Sequence, residues 1–269
     1  MLWYAREIPV DYRLNVVRFQ DTKRHLTMKT DWTYLPDIEI SLVPFDTCII
    51  TRFIEYRLSH KTMAIRKATD VFHDWALAGK DKGMERGHSS AVGEMLGFIF
   101  QHVEKKQEKF SAIDVGCGNG WVVRLLKEHP LCSSAEGIDG AEAMIAKAKE
   151  IDSEGDYSVR QLPEYAPLKR YDIIHSMEFL YYLEDPKSML KSFYDNWVAK
   201  DGWLVVGIDH YLEHEESLGW PEHVGVHMTT LSRQEWKDAW HDAGFTNISS
   251  WQAGKKDSVT LVIAGQKVD

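Results

Sequence analysis

The chain has 269 residues, of which 44% are hydrophobic and 12% aromatic, so its composition predicts a substantial buried core and excludes an intrinsically disordered chain. Its formal net charge of −9 at pH 7 argues against nonspecific binding to nucleic acid or to anionic lipid. No apolar run approaches the ~20 residues of a membrane span, and the first residues lack the apolar core of a secretory signal.

The first 62 residues are predicted to form an extension without the regular alternation of the rest of the chain. Two β-rich runs, at 38–45 and 51–58, are candidates for a hairpin in which Pro44 makes the first run an edge strand. The residues before them carry mixed charge and weak periodicity. The extension is therefore interpreted as a hairpin or as a partly disordered segment, and as dispensable for chemistry.

Residues 63–269 alternate helix-like and strand-like segments. Helices are predicted at 64–79, 90–107, 120 onward, 141–152, 185–199 and 232–244, with a glycine-punctuated turn at 80–88. Strands are predicted at 111–116, 134–139, 157–161, 171–177, 202–209, 245–253 and 258–266. This order predicts an α/β fold with a doubly wound, mostly parallel seven-stranded sheet. Because no helix separates the last two strands, an antiparallel edge is expected.

Three cysteines, Cys48, Cys117 and Cys132, show no zinc-type spacing. They are interpreted as free thiols in a reducing compartment, which predicts a cytoplasmic protein. Cys117 lies inside a glycine-rich stretch and is interpreted as a small residue beside tight backbone rather than as a nucleophile.

That stretch, IDVGCGNGW at 113–121, places glycines at alternate positions between a strand and a helix. Such a loop predicts a ligand site at the carboxyl end of a parallel sheet, where glycine permits close backbone approach. A dinucleotide site needs a third glycine where this chain has Trp121, so a nicotinamide-dependent oxidoreductase is disfavoured. The acid before the loop, Asp114, suits a cation better than a pyrophosphate.

The stretch IDVGCGNG resembles motif I of the class I S-adenosylmethionine-dependent methyltransferases. Asp139 of EGIDG matches the acid that holds the cofactor ribose in that family, and YDIIHSMEFLYYLEDP is similar to its fourth strand and following loop. The closing strands match the family's antiparallel finish. The resemblance covers about residues 63–269 and implies a Rossmann-like methyltransferase fold with S-adenosylmethionine as cofactor.

The resemblance also implies which residues bind that cofactor. Asp114 and the glycine loop are expected at its amino-acid tail, Asp139 at the ribose, and Met144, Gln161 and Leu162 at the adenine. The usual acid after the third strand is not evident here. Strand-end caps for the aspartates and a core position for Met144 are the alternatives. The cofactor-binding residues expected are Asp114, Gly116, Cys117, Gly118, Asn119, Gly120, Asp139, Gly140, Met144, Gln161, Leu162, Ser176 and Met177.

Methyl transfer from a sulfonium is an in-line displacement that chiefly needs a positioned acceptor and a dry site, so a general base is optional. Residues 73–88 are interpreted as a flexible lid carrying Trp75, Met84 and His88, or as an ordinary helix pair. After the strand 171–177, three further acceptor-binding residues are expected: Glu178, Tyr181 and Tyr182. One of the two tyrosines belongs in the core, because adjacent side chains on a helix diverge.

The long segment 208–232 follows a buried strand and is rich in titratable side chains. Asp209 and His210 are its candidate catalytic bases, with a polar wall as the alternative for the histidine, and His227 is a candidate substrate contact. His210 and His214 have metal-ligand spacing for a helix, but no third ligand is fixed by the pattern. No metal is therefore predicted.

The expected pocket is acidic and aromatic, which favours a small-molecule acceptor. The methylated group of that acceptor is expected to be an amine, a thiol or a carboxylate. The absence of a basic surface makes a nucleic acid unlikely as a partner, and no membrane partner is expected. A protein or RNA methyltransferase is the alternative enzyme. A catalytically silent cofactor-binding regulatory subunit is the alternative from another class. The chain is expected to be a monomer or a homodimer.

Overall fold

The structure, a computed structural model, describes residues 65–254 and 260–268 and, in the first part of the chain, three strands. The chain divides into two compact units, residues 1–62 and residues 63–269. The role of the first unit as an extension stays a prediction.

The first unit contains an antiparallel sheet of three strands in chain order. Strands β1 (Val17–Thr22) and β2 (His25–Thr30) form a hairpin, and β3 (Ile38–Ile40) pairs with the other side of β2. Only the first three residues of the predicted hairpin at 38–58 fall on a described strand. The remainder of that prediction lies outside the described residues.

The second unit is built on a seven-stranded sheet, as the sequence predicts. Its strands are β4 (Phe110–Val115), β5 (Cys132–Asp139), β6 (Asp156–Val159), β7 (Tyr171–Met177), β8 (Val198–Ile208), β9 (Thr246–Ala253) and β10 (Thr260–Gln266). The order across the sheet is β6-β5-β4-β7-β8-β10-β9. The strand β10 runs antiparallel to both of its neighbours, β8 and β9, whereas the other strands of this sheet pair in parallel. The predicted antiparallel edge is therefore confirmed.

Helices cover both faces of this sheet. Their bounds are α1 (Ala68–Leu77), α2 (Asp81–Lys106), α3 (Trp121–Glu128), α4 (Glu142–Ile151), α5 (Pro186–Ser192), α6 (Trp220–Val224) and α7 (Arg233–Ala243). Short 3₁₀ turns lie at Leu180–Tyr182 and Glu215–Gly219, and a π turn at Phe193–Trp197. No helix in the described part of the chain is long and apolar enough to cross a membrane.

Side chains alternate between the two faces of the sheet and form two apolar clusters. Ile113 and Ile174 pack with Trp236 and Trp240 of the last helix on one face. Their neighbours Ala112 and Ile173 pack with α2 and α3 on the other. Because both faces are covered, the central strands β4 and β7 are buried along nearly their whole length.

The predicted glycine-punctuated turn at 80–88 is wrong, because α2 begins at Asp81 and continues through Gly83, Gly87 and His88. The chain turns instead at Gly79, which has a φ of +73°. Asp81 favours a helix start, since a carboxylate in the first turn interacts well with the helix dipole, and its side chain is paired with Lys147 at 2.5 Å. Residues 73–88 therefore form a helix pair joined by a short turn.

Two other predicted boundaries change. The helix predicted over 185–199 ends as a regular α-helix at Ser192, and the π turn that follows buries Trp197 before β8 begins. The segment predicted as one long loop after β8 contains the second 3₁₀ turn and α6. By contrast, α7 begins at the Ser232 capping box and ends at Gly244, as its sequence predicts.

Candidate functional site

A cleft of about 890 Å³ opens beyond the carboxyl ends of the central strands. Connections leave β4 and β7 toward opposite sides of the sheet, and such a switch point leaves a crevice that binds ligands in open α/β folds. The volume lies within the range of small-molecule sites. Most of the predicted site residues line it: Met84, His88, Asp114, Gly116, Cys117, Gly118, Asn119, Asp139, Gly140, Met144, Gln161, Leu162, Met177, Glu178, Tyr182 and His227.

The glycine loop after β4 adopts left-handed backbone at each of its three glycines, with φ of +77° at Gly116, +54° at Gly118 and +76° at Gly120. An added Cβ at Gly120 would lie 2.4 Å from the Tyr157 ring, so this glycine is needed for packing beneath the loop and does not line the cleft. At Gly118 the space toward Met144 stays open. This part of the loop presents bare backbone to a ligand.

Asp139, at the end of β5, is fixed by two backbone donors. Its Oδ2 accepts from the Gly118 N–H at 2.9 Å and its Oδ1 accepts from the Ala141 N–H at 2.8 Å. Burial raises the pKa of Asp139 to about 6, against the opposing effect of those two hydrogen bonds, and the nearby Asp114 adds to the rise. Each oxygen keeps a lone pair, so the carboxylate has capacity to accept two hydroxyl groups.

Asp114, at the end of β4, is buried against His175 of the neighbouring strand. The sheet register places the two residues side by side, and His175 Nδ1 lies 2.7 Å from Asp114 Oδ1. His175 was not among the residues singled out from the sequence, although strand pairing was a signal that could have found it. This contact fixes the Asp114 carboxylate at the floor of the cleft.

Asn119 connects the glycine loop to the start of α2. Its side-chain amide donates to Asp81 Oδ2 and to Glu85 Oε2, each at 3.2 Å. Burial acts to raise the pKa of Asp81. Hydrogen bonds from Lys147 and Asn119, together with the Lys147 charge, outweigh that effect, so the pKa of Asp81 lies below its usual value. Asp81 and Glu85 were missed because the sequence predicted a turn there.

Gly140, Met144, Gln161 and Leu162 also line the cleft. The Gln161 side-chain amide donates to the Gly140 carbonyl at 2.9 Å, which ties the end of β6 to the end of β5.

Cys117 also lines the cleft. Burial raises the pKa of its thiol well above the usual value, with Asp139 and Asp114 adding to the rise, so the thiol is protonated and a poor nucleophile.

Glu178 follows β7 and has a φ of +58°, a conformation uncommon for a residue with a side chain. The Tyr181 hydroxyl donates to Glu178 Oε2, while Oε1 is buried without a hydrogen-bond partner. Burial raises the pKa of Glu178 well above its usual value, and Asp209 adds to the rise. Tyr181 is the core tyrosine of the pair, and Tyr182 lines the cleft.

Asp209 and His88 come close to Glu178 from two other elements. His88 Nε2 lies 3.8 Å from Asp209 Oδ2, and Asp209 Oδ1 is buried without a hydrogen-bond partner. One nitrogen or oxygen from each of the three side chains lies within 4.8 Å of the others. No sequence pattern brings these residues together, since they are far apart along the chain.

The structure turns His210 away from the cleft, contrary to its expected role as a base. It is fully buried, with Nδ1 3.0 Å from the Ser217 carbonyl and Nε2 2.7 Å from the Thr230 hydroxyl. A carbonyl only accepts, so Nδ1 carries the proton and Nε2 accepts from Thr230. Burial lowers the pKa of His210. Both nitrogens are used, which leaves none for a substrate proton or for a metal shared with His214.

Two further expected residues do not reach the cleft, and one lies at its rim. Ser176 is buried and its hydroxyl donates to the Val115 carbonyl at 2.8 Å. Trp75 packs edge-on against Phe72. His227 is exposed at the rim, with Nε2 2.9 Å from the Thr229 hydroxyl.

The charges around the cleft fit S-adenosylmethionine, which carries a sulfonium, an ammonium and no phosphate. Eight carboxyl groups line the described cleft, against three lysine and arginine side chains, Arg66, Lys67 and Arg160. The acidic residues are Asp70, Asp81, Glu85, Asp114, Asp139, Glu164, Glu178 and Glu184. A doubly fixed carboxylate for the ribose and open backbone at Gly118 complete the match.

Residues 76–250 match the protein-family model described as a methyltransferase domain. Over 126 residues the chain is 32% identical to malonyl-[acyl-carrier protein] O-methyltransferase 1 of Ilyobacter polytropus, with 45% of this chain and 46% of that protein covered. Over 131 residues it is 24% identical to trans-aconitate 2-methyltransferase of Agrobacterium fabrum, with 49% and 48% covered. The chain thus spans about half the length of these curated relatives.

Among solved structures, the methyltransferase in complex with the Haloferax volcanii Trm112 activator has a TM-score of 0.64 at 23% identity, covering 77% of this chain and all of that chain. At that identity the likeness shows the fold alone. The family model, in contrast, covers well over half of this chain. The chain therefore belongs to the class I S-adenosylmethionine-dependent methyltransferases, and its cofactor is S-adenosylmethionine.

Proposed function

We propose that this chain is an active enzyme that transfers a methyl group from S-adenosylmethionine to a small-molecule acceptor. The observation that carries the proposal is the acid-lined cleft of about 890 Å³ at the switch point of the sheet. When bound, the cofactor would supply a methyl group on a positively charged sulfur. The acceptor's nucleophile would attack the methyl carbon as the carbon–sulfur bond breaks, and S-adenosylhomocysteine would leave.

The residues around the cleft have distinct roles in this proposal. Asp139 accepts the ribose hydroxyls, and Asp114 faces the ammonium group of the tail while His175 holds its carboxylate. Gly118 leaves room for the tail, and Met144 and Leu162 supply apolar contacts for the adenine. None of these groups has to move a proton.

The acceptor occupies the end of the cleft formed by Met177, Glu178 and Tyr182. Met84 and Phe179 also line the cleft and contribute to excluding water there. His88 and His227 supply polar contacts on the side of α2 and of the rim. Positioning and exclusion of water are the main requirements of an in-line transfer.

Among the expected nucleophiles we favour a carboxylate. Two of the curated relatives are named for acid-bearing acceptors, malonyl-[acyl-carrier protein] and trans-aconitate, while another is named as a ubiquinone biosynthesis O-methyltransferase. A carboxylate is already ionised at neutral pH and needs no base, in agreement with the position of His210. An amine is the second candidate, because the unpartnered oxygens of Glu178 and Asp209 would attract an ammonium group.

A macromolecular acceptor is disfavoured by the same cleft. An RNA phosphate backbone would meet an excess of carboxylates, and phosphate contacts dominate the affinity of nucleic-acid-binding proteins. A silent regulatory subunit would bind the cofactor but transfer nothing.

The test is a transfer assay with methyl-labelled cofactor on the full chain. The panel holds small dicarboxylic and hydroxy acids, primary amines, thiols and bulk RNA. We expect label on the acids. Label on RNA alone would overturn the proposal, label on amines alone would favour the second candidate, and cofactor binding without transfer would indicate the silent subunit.

A further inference from the structure

His88, Glu178 and Asp209 form a cluster of metal-ligand side chains at the acceptor end of the cleft. They come from the helix α2, the turn after β7 and the turn after β8. One ligand-type atom of each lies within 4.8 Å of the other two. Ligands about 2.1 Å from one ion lie roughly 3 to 4 Å apart, so shifts of less than about 1 Å would bring all three onto a common ion.

The two carboxylates of this cluster lack a compensating positive charge. Glu178 Oε1 and Asp209 Oδ1 are buried without hydrogen-bond partners. Among the residues that the structure describes, no lysine or arginine forms an ion pair with either of them, and His88 is the single basic neighbour. The other oxygen of Glu178 accepts from Tyr181, and that of Asp209 lies near His88. A buried carboxylate oxygen without a partner is unfavourable unless a cation or a proton compensates it.

We infer that His88, Glu178 and Asp209 bind a divalent transition-metal ion such as Mn²⁺. One imidazole nitrogen with two carboxylate oxygens is a donor set that such ions accept, and three protein ligands leave positions open for a substrate. His88 and Glu178 line the cleft, so an ion held by them would be within reach of an acceptor bound there.

This inference deepens the proposed function and, in its consequence for the acceptor, rests on it. A carboxylate acceptor would be repelled by Glu178 and Asp209 alone. A divalent ion between them would neutralise the two carboxylates, bind the acceptor's oxygen and hold it against the methyl donor. Acceptors whose two oxygen-bearing groups can chelate the metal ion, such as hydroxy acids, would then be the best substrates.

The test measures Mn²⁺ binding directly, without cofactor or acceptor. The full chain is stripped with a chelator and titrated with Mn²⁺ by calorimetry, with paramagnetic resonance of free Mn²⁺ as a second readout. We expect one Mn²⁺ per chain, and at least tenfold weaker binding in Glu178→Gln and in Asp209→Asn. The matched control is Glu164→Gln, which removes a cleft carboxylate outside the cluster and should leave Mn²⁺ affinity unchanged.

Retained binding of S-adenosylhomocysteine by the two variants shows that they are folded. Absence of a Mn²⁺ site in the wild type, or equal loss in Glu164→Gln, would overturn the inference. So would a rise in melting temperature with methylammonium but none with Mn²⁺, which would assign the cluster to an ammonium group. If Mn²⁺ binds yet no carboxylate is methylated, the metal site stands and the proposed acceptor fails.

Discussion

Asp139 combines burial with a role that requires its ionised form. Its pKa is raised to about 6, and ribose hydroxyls can donate only to lone pairs that protonation partly removes. Below pH 6 the protonated form prevails, so cofactor binding must first remove a proton. We therefore expect the affinity for S-adenosylhomocysteine, measured by calorimetry, to rise between pH 5 and pH 7 and to level off above.

In Asp139→Asn that rise should disappear, since the amide does not titrate. Glu142→Gln, which changes an exposed carboxylate at the start of the next helix, should keep the rise. A wild-type affinity that is constant across this range would contradict the role given to Asp139.

Substitution of His210 tests whether this buried histidine takes part in the reaction. Its two ring nitrogens bond Ser217 and Thr230, so His210→Asn should lower the free energy of unfolding by about 1–3 kcal/mol in urea titrations. Transfer activity per folded molecule should stay within about threefold of the wild type, because no contact to the cleft is lost. A loss of kcat above a hundredfold with unchanged stability would restore His210 as a base.

Among single residues, the sequence predicts those that act through local motifs. Gly118 lies in the loop after β4 and Asp139 is the last residue of β5, so the glycine motif and the strand pattern locate them. Asp209 and His210 are adjacent in sequence, and only the direction of each side chain separates the cluster residue from the buried one. The proximity of Glu178 to His88 depends on tertiary packing, which no spacing encodes.

Among the elements, the glycine loop and α2 use glycine for opposite reasons. Gly120 has a φ of +76° and no room for a Cβ beside Tyr157, whereas Gly83 lies within a helix with open space around it. We expect Gly120→Ala to destabilise the chain by more than about 2 kcal/mol and Gly83→Ala to stabilise it by about 0.5–1 kcal/mol in urea unfolding.

These two variants serve as each other's control, because the chemical change is the same. Destabilisation by Gly83→Ala would mean that the helix does not continue through residues 80–88. A neutral Gly120→Ala would mean that the loop relaxes around the added methyl group.

Elements with a strong pattern are predicted closely. The strand 171–177 coincides with its prediction because its apolar residues, centred on Ile173 and Ile174, favour a buried strand. The helix α2 is missed at its start because Gly83 and Gly87 resemble turn residues locally. Tertiary contacts of Asp81 with Lys147 and Asn119 stabilise the helical alternative, and these lie 66 and 38 residues away along the chain.

For the whole molecule, cofactor binding should raise the melting temperature. At a concentration one hundred times its dissociation constant, S-adenosylhomocysteine contributes about 2.7 kcal/mol, which corresponds to roughly 5–10 °C for a unit of this size. Differential scanning fluorimetry of the full chain measures the shift. Addition of adenosine diphosphate at the same concentration should produce none, because its phosphates would meet the acidic cleft.

The architecture of residues 63–269 could be predicted because strands and helices alternate in a single order that few topologies satisfy. The sequence of residues 1–62 contains no motif with a chemical meaning. The described β3 pairs with β2, with Ile40 opposite Leu26, while the partner predicted for it at 51–58 lies outside the described residues. Mixed charge and weak periodicity in the first thirty residues did not indicate the β1–β2 hairpin.

Every role given to the cleft residues depends on a phosphate-free, positively charged nucleoside bound between the glycine loop and Asp139. Parallel calorimetric titrations of the full chain with S-adenosylmethionine and with nicotinamide adenine dinucleotide distinguish this ligand from a dinucleotide. We expect one S-adenosylmethionine per chain and at least hundredfold weaker binding of the dinucleotide. Equal affinities, or no heat of binding with S-adenosylmethionine, would refute these assignments.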